Sequence, residues 1–243
     1  MPRSSDAFGR LVWERHEGDA VEVIERDDGY IDTTAGAEAY FAPHESWPES
    51  KREAIALARG RVLDIGCGAG RVCLHLQERG LDVLGIDISP LAVETCRERG
   101  VRDARVLSIT QISRSLGVFH TVVMLGNNFG LFGSRRRARW LLRRLAGMTS
   151  PDARIIAETM DPYATDNPDH TQYHERNRQR GRMGGQIRFR VRHKNHIGAW
   201  MDYLFVSKTE MGEILDGTGW RVGRHIESGG PSYIAVIEKS ATT

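Results

Sequence analysis

The stretch that most constrains this chain is Val62-Leu63-Asp64-Ile65-Gly66-Cys67-Gly68-Ala69-Gly70. Its apolar run is too short for a helix and stops at three glycines on alternate residues, which reads as a buried parallel strand ending in a tight turn. Val72, Leu74, His75, Leu76 and Glu78 then restart with helical spacing. Strand, glycine turn and helix make the first half of a βαβ unit, so the chain is expected to be an α/β protein. In such a turn glycines permit backbone angles closed to other residues and let a ligand approach without meeting a Cβ.

The spacing departs from the dinucleotide fingerprint G-x-G-x-x-G, whose third glycine would fall on Arg71. Asp64, two residues before the first glycine, is expected to put a carboxylate beside the helix N-terminus, where a pyrophosphate would meet a like charge. A cationic ligand suits the turn better, and a carboxylate on that ligand can use the N–H groups of the turn. A second apolar strand, Leu81-Asp82-Val83-Leu84-Gly85-Ile86-Asp87, ends in an acid 21 residues after Gly66. An acid at the tip of the neighbouring strand is placed to take the ribose hydroxyls of an adenosine.

Val62 to Gly70, followed by Gly85-Ile86-Asp87-Ile88-Ser89, resembles the first two motifs of the class I S-adenosylmethionine-dependent methyltransferases. The likeness is close over roughly residues 60 to 100 and continues by order of elements to about residue 160. It implies an α/β fold with a seven-stranded Rossmann-like sheet, helices on both faces and the last strands antiparallel. It also implies S-adenosylmethionine as cofactor and S-adenosylhomocysteine as product. The residues it assigns to the cofactor are Asp64, Gly66, Cys67, Gly68, Gly70, Asp87, Ile88 and Leu125. The third strand, Ala104 to Leu107, should end near the adenine, where this chain offers Ser108, Thr110 and Gln111. His120 stands where the family commonly has Asp. Asn127-Asn128-Phe129-Gly130 lacks the two prolines of the methylases that act on base amino groups, which disfavours an adenine-N6 enzyme.

A chain of 243 residues with 40% hydrophobic and 27% charged content is expected to form one soluble α/β domain with additions. Its parts are read as an N-terminal lid over residues 1–45 and a cofactor-binding domain over 46–243, with a polar loop insertion at 162–185. Phe8, Leu11 and Val12, at i, i+3, i+4 spacing, suggest a short amphipathic helix, and Asp28-Gly29 a tight turn. Ser46 is read as the cap of a helix from Glu49 to Arg59. The start of the chain lacks the apolar core of a leader and no apolar run reaches membrane-helix length, so a cytoplasmic protein with no membrane partner is expected. Cys67, Cys73 and Cys96 have no metal-site spacing and read as reduced packing residues.

On the substrate side, Tyr30 and Trp47 belong to the expected lid. Asn127 and Asn128 follow the fourth strand, Tyr163 follows the fifth, and Trp200 opens a later strand. A base is needed only where the acceptor must lose a proton, and Asp161 and His170 are the candidates, with Glu158 and His174 beside them. His170 and His174 stand four apart, but without further ligands no metal is expected. From Gln172 to Lys194 there are eight Lys or Arg against one acid, and Ile187 to Lys194 alternates as a strand with one apolar and one basic face. That face reads as solvated surface, a grip for an anionic small molecule, or an RNA contact. The reading that follows is methyl transfer to oxygen or nitrogen of a small molecule. An RNA or protein methyltransferase and a cofactor-binding homologue without turnover stand as alternatives, and the oligomeric state is open.

Overall fold

The computed structural model describes residues 5–14, 21–34 and 36–240. Residues 1–4, part of the stretch read for a leader, lie outside the described residues. In chain order the elements are α1 (Ala7–Trp13), β1 (Val23–Arg26), β2 (Ile31–Thr33), α2 (Glu49–Ala56), β3 (Arg61–Ile65), α3 (Arg71–Glu78) and β4 (Asp82–Asp87). There follow α4 (Pro90–Glu98), β5 (Ala104–Val106), β6 (Phe119–Met124), α5 (Arg135–Ala146), β7 (Thr149–Met160) and α6 (Pro168–Gln179). The last are β8 (Gln186–His193), β9 (His196–Ile197), β10 (Met201–Leu204), α7 (Lys208–Leu215), β11 (Trp220–Glu227) and β12 (Ser232–Lys239).

The main sheet has seven strands in the order β11-β12-β7-β6-β3-β4-β5. β4 pairs with β5 and β6 with β7 in parallel, while β12 runs antiparallel to both β7 and β11. This is the expected Rossmann-like methyltransferase sheet. Its strands are apolar because both sides are covered: Val62, Leu63, Val122, Val123, Ile155 and Ile156 have no exposed surface.

By compactness the chain forms two units, one of residues 1–47, 63–108 and 188–201, the other of 48–62, 109–187 and 202–243. In the first, α1 packs on α4, and β1 forms a hairpin with β2 whose other edge pairs with β8. In the second, α5 buries Ala138, Leu141, Leu142 and Leu145, and its arginines hold carbonyls rather than pointing only to solvent. Arg137 Nε donates to Phe132 O at 2.6 Å, Arg139 to Glu213 O at 3.0 Å and Arg144 to Thr110 O at 3.1 Å.

Four details correct the sequence reading. Strands β8, β9 and β10 join β1 and β2 in a separate small sheet instead of completing the main one. The main sheet ends instead with β11, which alternation did not reveal because Gly223 sits at a bulge between Val222 and Arg224. Within the expected loop 162–185 lies α6, started by Asn167, whose side chain accepts from Asp169 N, and by Pro168 in the first turn. No apolar period marked it, since its buried residues are Tyr173, His174 and Asn177. Finally, α2 starts after Pro48 with no side-chain cap, and Ser46 closes a preceding 3₁₀ turn.

Candidate active site

At the end of β3 the chain turns through Gly66, Gly68 and Gly70 with φ of 76°, 54° and 79°. All three lie in the left-handed region, which other L-residues enter only at a cost of about 1–2 kcal/mol. At Gly70 there is also no room: a Cβ would stand 2.7 Å from Val101 Cγ2 and 2.9 Å from Cys96 Sγ. The turn's N–H groups are largely used within the fold. Gly66 N and Cys67 N both donate to Ile86 O (2.8 and 3.1 Å), Gly68 N to Asp87 Oδ2 (3.0 Å) and Gly70 N to Cys67 O (2.8 Å). A ligand carboxylate therefore does not find these donors waiting, contrary to the sequence reading.

Asp64 is buried, 2% exposed, and its Oδ2 accepts from Cys73 Sγ at 3.2 Å. Burial pushes its carboxyl up to about 7, while the thiol bond and the Arg71 charge pull it down and the Asp87 charge adds to the rise. The three cysteines are free and buried, with Cys67 Sγ 3.7 Å from Cys96 Sγ and Cys96 Sγ donating to Gly68 O at 3.0 Å. They pack behind the turn as reduced residues.

At the tip of β4, Asp87 accepts from Ser89 N through Oδ1 (2.9 Å) and from Gly68 N through Oδ2 (3.0 Å). These backbone donors orient the carboxylate. Desolvation raises its pKa, the N–H groups of Ser89, Gly68 and Ile88 oppose the rise, and the Asp6 charge adds to it. Next to it Ile88 leaves 36% of its surface uncovered, and Val106 on the neighbouring strand 47%, an apolar edge suited to a planar base. Ser108 follows β5 in the same unit.

The segment 36–47 lies against the glycine turn. Arg71 Nη1 donates to Ala39 O at 2.6 Å, and Tyr40 OH donates to the buried Glu22 at 3.0 Å. The rings of Phe8 and Tyr40 meet edge-on, and both would stand 3.6 Å from a Cβ on Gly68. Trp47 is 4% exposed, with its N–H given to Ala42 O at 2.8 Å, and His44 stacks on His75 of α3 at 3.8 Å. Tyr30 lies under Arg26 at 4.6 Å and Trp200 under Arg190 at 4.5 Å. Part of the basic strand's charge is met by its neighbours. Arg190 and Arg192 both bond Glu25 (2.8 and 3.2 Å), and Lys194 bonds Glu14 at 2.9 Å.

In the other unit, β6 ends at Met124, and the buried Leu125 is followed by Gly126, Asn127 and Asn128. Gly126 N donates to Glu158 Oε2 at 2.6 Å, and Glu158, itself 4% exposed, pairs with Lys51 at 3.1 Å. Tyr203 OH donates to Asn127 O at 2.6 Å, so the loop is held at two successive residues and Asn127 takes φ of 63°. Asp161 accepts from Tyr163 N at 2.9 Å, Tyr163 OH donates to Glu210 at 2.6 Å, and His170 Nδ1 meets Thr165 Oγ1 at 3.1 Å. Burial and the Glu210 carboxylate push the Tyr163 phenol up to about 12. Thr110 stands in a 3₁₀ turn after β5. Among the described residues no group of three His, Cys, Asp or Glu is placed to hold a metal.

Lys51, Glu158 and Tyr203 as holders of the Gly126–Asn127 loop, and Asp6 beside Ser89, were not found as such from sequence. Their partners are remote in the chain, and no local pattern announces them.

A family model described as a methyltransferase domain matches residues 62–152. The structure is similar to that of an S-adenosylmethionine-dependent methyltransferase from Bacteroides fragilis in complex with S-adenosyl-L-homocysteine, with a TM-score of 0.83 and 26% identity over 99% of this chain and 98% of that one. Among curated proteins, a ubiquinone biosynthesis O-methyltransferase of Dechloromonas aromatica is 39% identical over 30% of this chain and 34% of its own. An uncharacterized RNA methyltransferase of Halalkalibacterium halodurans is 28% identical over 42% of this chain and 22% of its own. The chain thus spans about a third or less of the length of these two curated relatives.

Proposed function

We propose, from the premise that this chain belongs to the class I S-adenosylmethionine-dependent methyltransferases, that it transfers the methyl group to an oxygen or nitrogen of a small molecule. The cofactor fits the residues present: a turn built on three left-handed glycines, a carboxylate oriented at a strand tip, and a partly uncovered apolar side chain beside it. In this reading Asp87 holds the ribose hydroxyls, Gly66, Cys67 and Gly68 leave room for the chain of the donor, Gly70 keeps the turn tight against Val101 and Cys96, and Ile88, Ser108, Thr110 and Leu125 are further proposed cofactor residues. Asp64 supplies negative charge behind the turn once it ionises.

When bound, S-adenosylmethionine supplies a sulfonium methyl with a good leaving group. What remains for the protein is to align the acceptor and exclude water, and alignment of this kind is worth about 7 to 11 kcal/mol. Asn127 and Asn128 on the braced loop, with Tyr163, Trp47, Tyr30 and Trp200, are the proposed acceptor-side residues. Asp161 and His170 are the proposed proton acceptors for an O–H or N–H nucleophile.

The observation that carries the small-molecule reading is the pairing of Arg190 and Arg192 with Glu25 and of Lys194 with Glu14. Glu25 and Glu14 meet part of the charge of the basic strand within the fold, which disfavours that strand as a grip for an RNA backbone. The RNA methyltransferase relative favours the second reading, RNA methylation. Incubation of the protein with methyl-labelled S-adenosylmethionine and a fractionated cell extract separates the two. Label is expected in the low-molecular-mass fraction, and label in RNA or protein would overturn the acceptor class.

A further inference from the structure

We propose that Asp6 is a positioning residue for cofactor binding, acting through Ser89 on the carboxylate of Asp87. This rests on the reading of Asp87 as the ribose acceptor.

Asp6 is 1% exposed. Its Oδ1 accepts from Gly9 N at 2.9 Å, and its Oδ2 accepts from Ser89 Oγ at 2.8 Å and Leu91 N at 3.2 Å. One side chain thus caps α1 and reaches the first turn of α4, 85 residues further along the chain. A buried carboxylate is costly unless its oxygens are met, and here three donors meet them. Ser89 is thereby fixed on both sides of its hydroxyl: Oγ–H points to Asp6 while Oγ accepts from Ala92 N at 3.0 Å. With that side chain fixed, the Ser89 peptide is set, and its N–H is the group that orients Asp87 Oδ1 at 2.9 Å.

Gly9 supplies an independent sign that this junction is built for close approach. A Cβ there would stand 2.4 Å from both Asp6 Oδ2 and Ser89 Oγ. Glycine inside a helix is unfavourable relative to alanine, and in this place only glycine lets α1 reach Ser89. Without the Asp6 bonds the Ser89 hydroxyl keeps only its bond from Ala92 N, and the Ser89 N–H that orients Asp87 Oδ1 is held less firmly.

The test is calorimetric titration of S-adenosylhomocysteine into the wild-type protein and into Asp6→Ala, Ser89→Ala, Asp87→Ala and the Asp6→Ala/Asp87→Ala double variant, with folding checked by circular dichroism. Asp6→Ala and Ser89→Ala are each expected to weaken binding about tenfold, and Asp87→Ala more. In the double variant the Asp6 penalty should vanish to within about twofold, because its route to the ligand is gone. Ser89→Thr, which keeps the hydroxyl, should bind nearly as wild type. Should Asp6→Ala not fold, Asp6→Asn takes its place in the same cycle. An Asp6 effect that persists in full beside Asp87→Ala makes the role merely structural and overturns the proposal, as does an Asp6 variant of unchanged affinity. If Asp87→Ala itself binds as wild type, the ribose assignment fails and the proposal with it.

Discussion

Asp64 is a residue whose ionisation the fold changes strongly, and the change has a sign that can be tested. Burial raises its pKa from 3.8 to about 7, so between these values the folded chain holds a proton that the unfolded chain has released. The stability this gives is complete below about pH 4, declines as pH rises, and is gone once pH has passed through about 7. Asp64→Asn removes the titration and keeps the shape. The stability of the wild type minus that of Asp64→Asn, from urea unfolding at a series of pH values, should therefore fall by a few kcal/mol, roughly, between pH 4 and 7.5. A difference that does not vary with pH would show that the group does not titrate in that window. In the sequence Asp64 read as a carboxylate facing the ligand; its burial against Cys73 was not legible, because the thiol comes from the next helix and only the packing of α3 brings it there.

At the scale of elements, those that form the glycine-turn unit were legible because their signals are local. β3 and β4 are short apolar runs, the glycines mark the turn, and Ser89-Pro90 marks the start of α4. α6 was not legible, since polar residues make its buried side. Asn177, 2% exposed, gives its amide to Gly184 O at 3.0 Å and Gln186 O at 2.7 Å, and so ties the helix to the start of β8. Replacing it by alanine leaves two carbonyls without that donor, and unfolding by urea should show a loss of about 2 kcal/mol. A loss below about 0.5 kcal/mol would mean that the helix is held by other contacts.

For the whole molecule, the class of fold followed from one motif, whereas the second sheet did not, because β1 and β8 come from opposite ends of the chain. Glu25 meets Arg190 at a separation of 165 residues, and alternation on each strand says nothing about its neighbour. The same remoteness hid Asp6. What local sequence did carry is the choice of cofactor, since Arg71 in place of a third glycine and the Asp87 tip together separate a methyl donor from a dinucleotide. Calorimetric titration of the full chain with S-adenosylhomocysteine and, separately, with NAD tests that choice most directly. S-adenosylhomocysteine should bind at a single site and NAD should give no binding heat; saturable binding of NAD, or none of S-adenosylhomocysteine, would contradict the account.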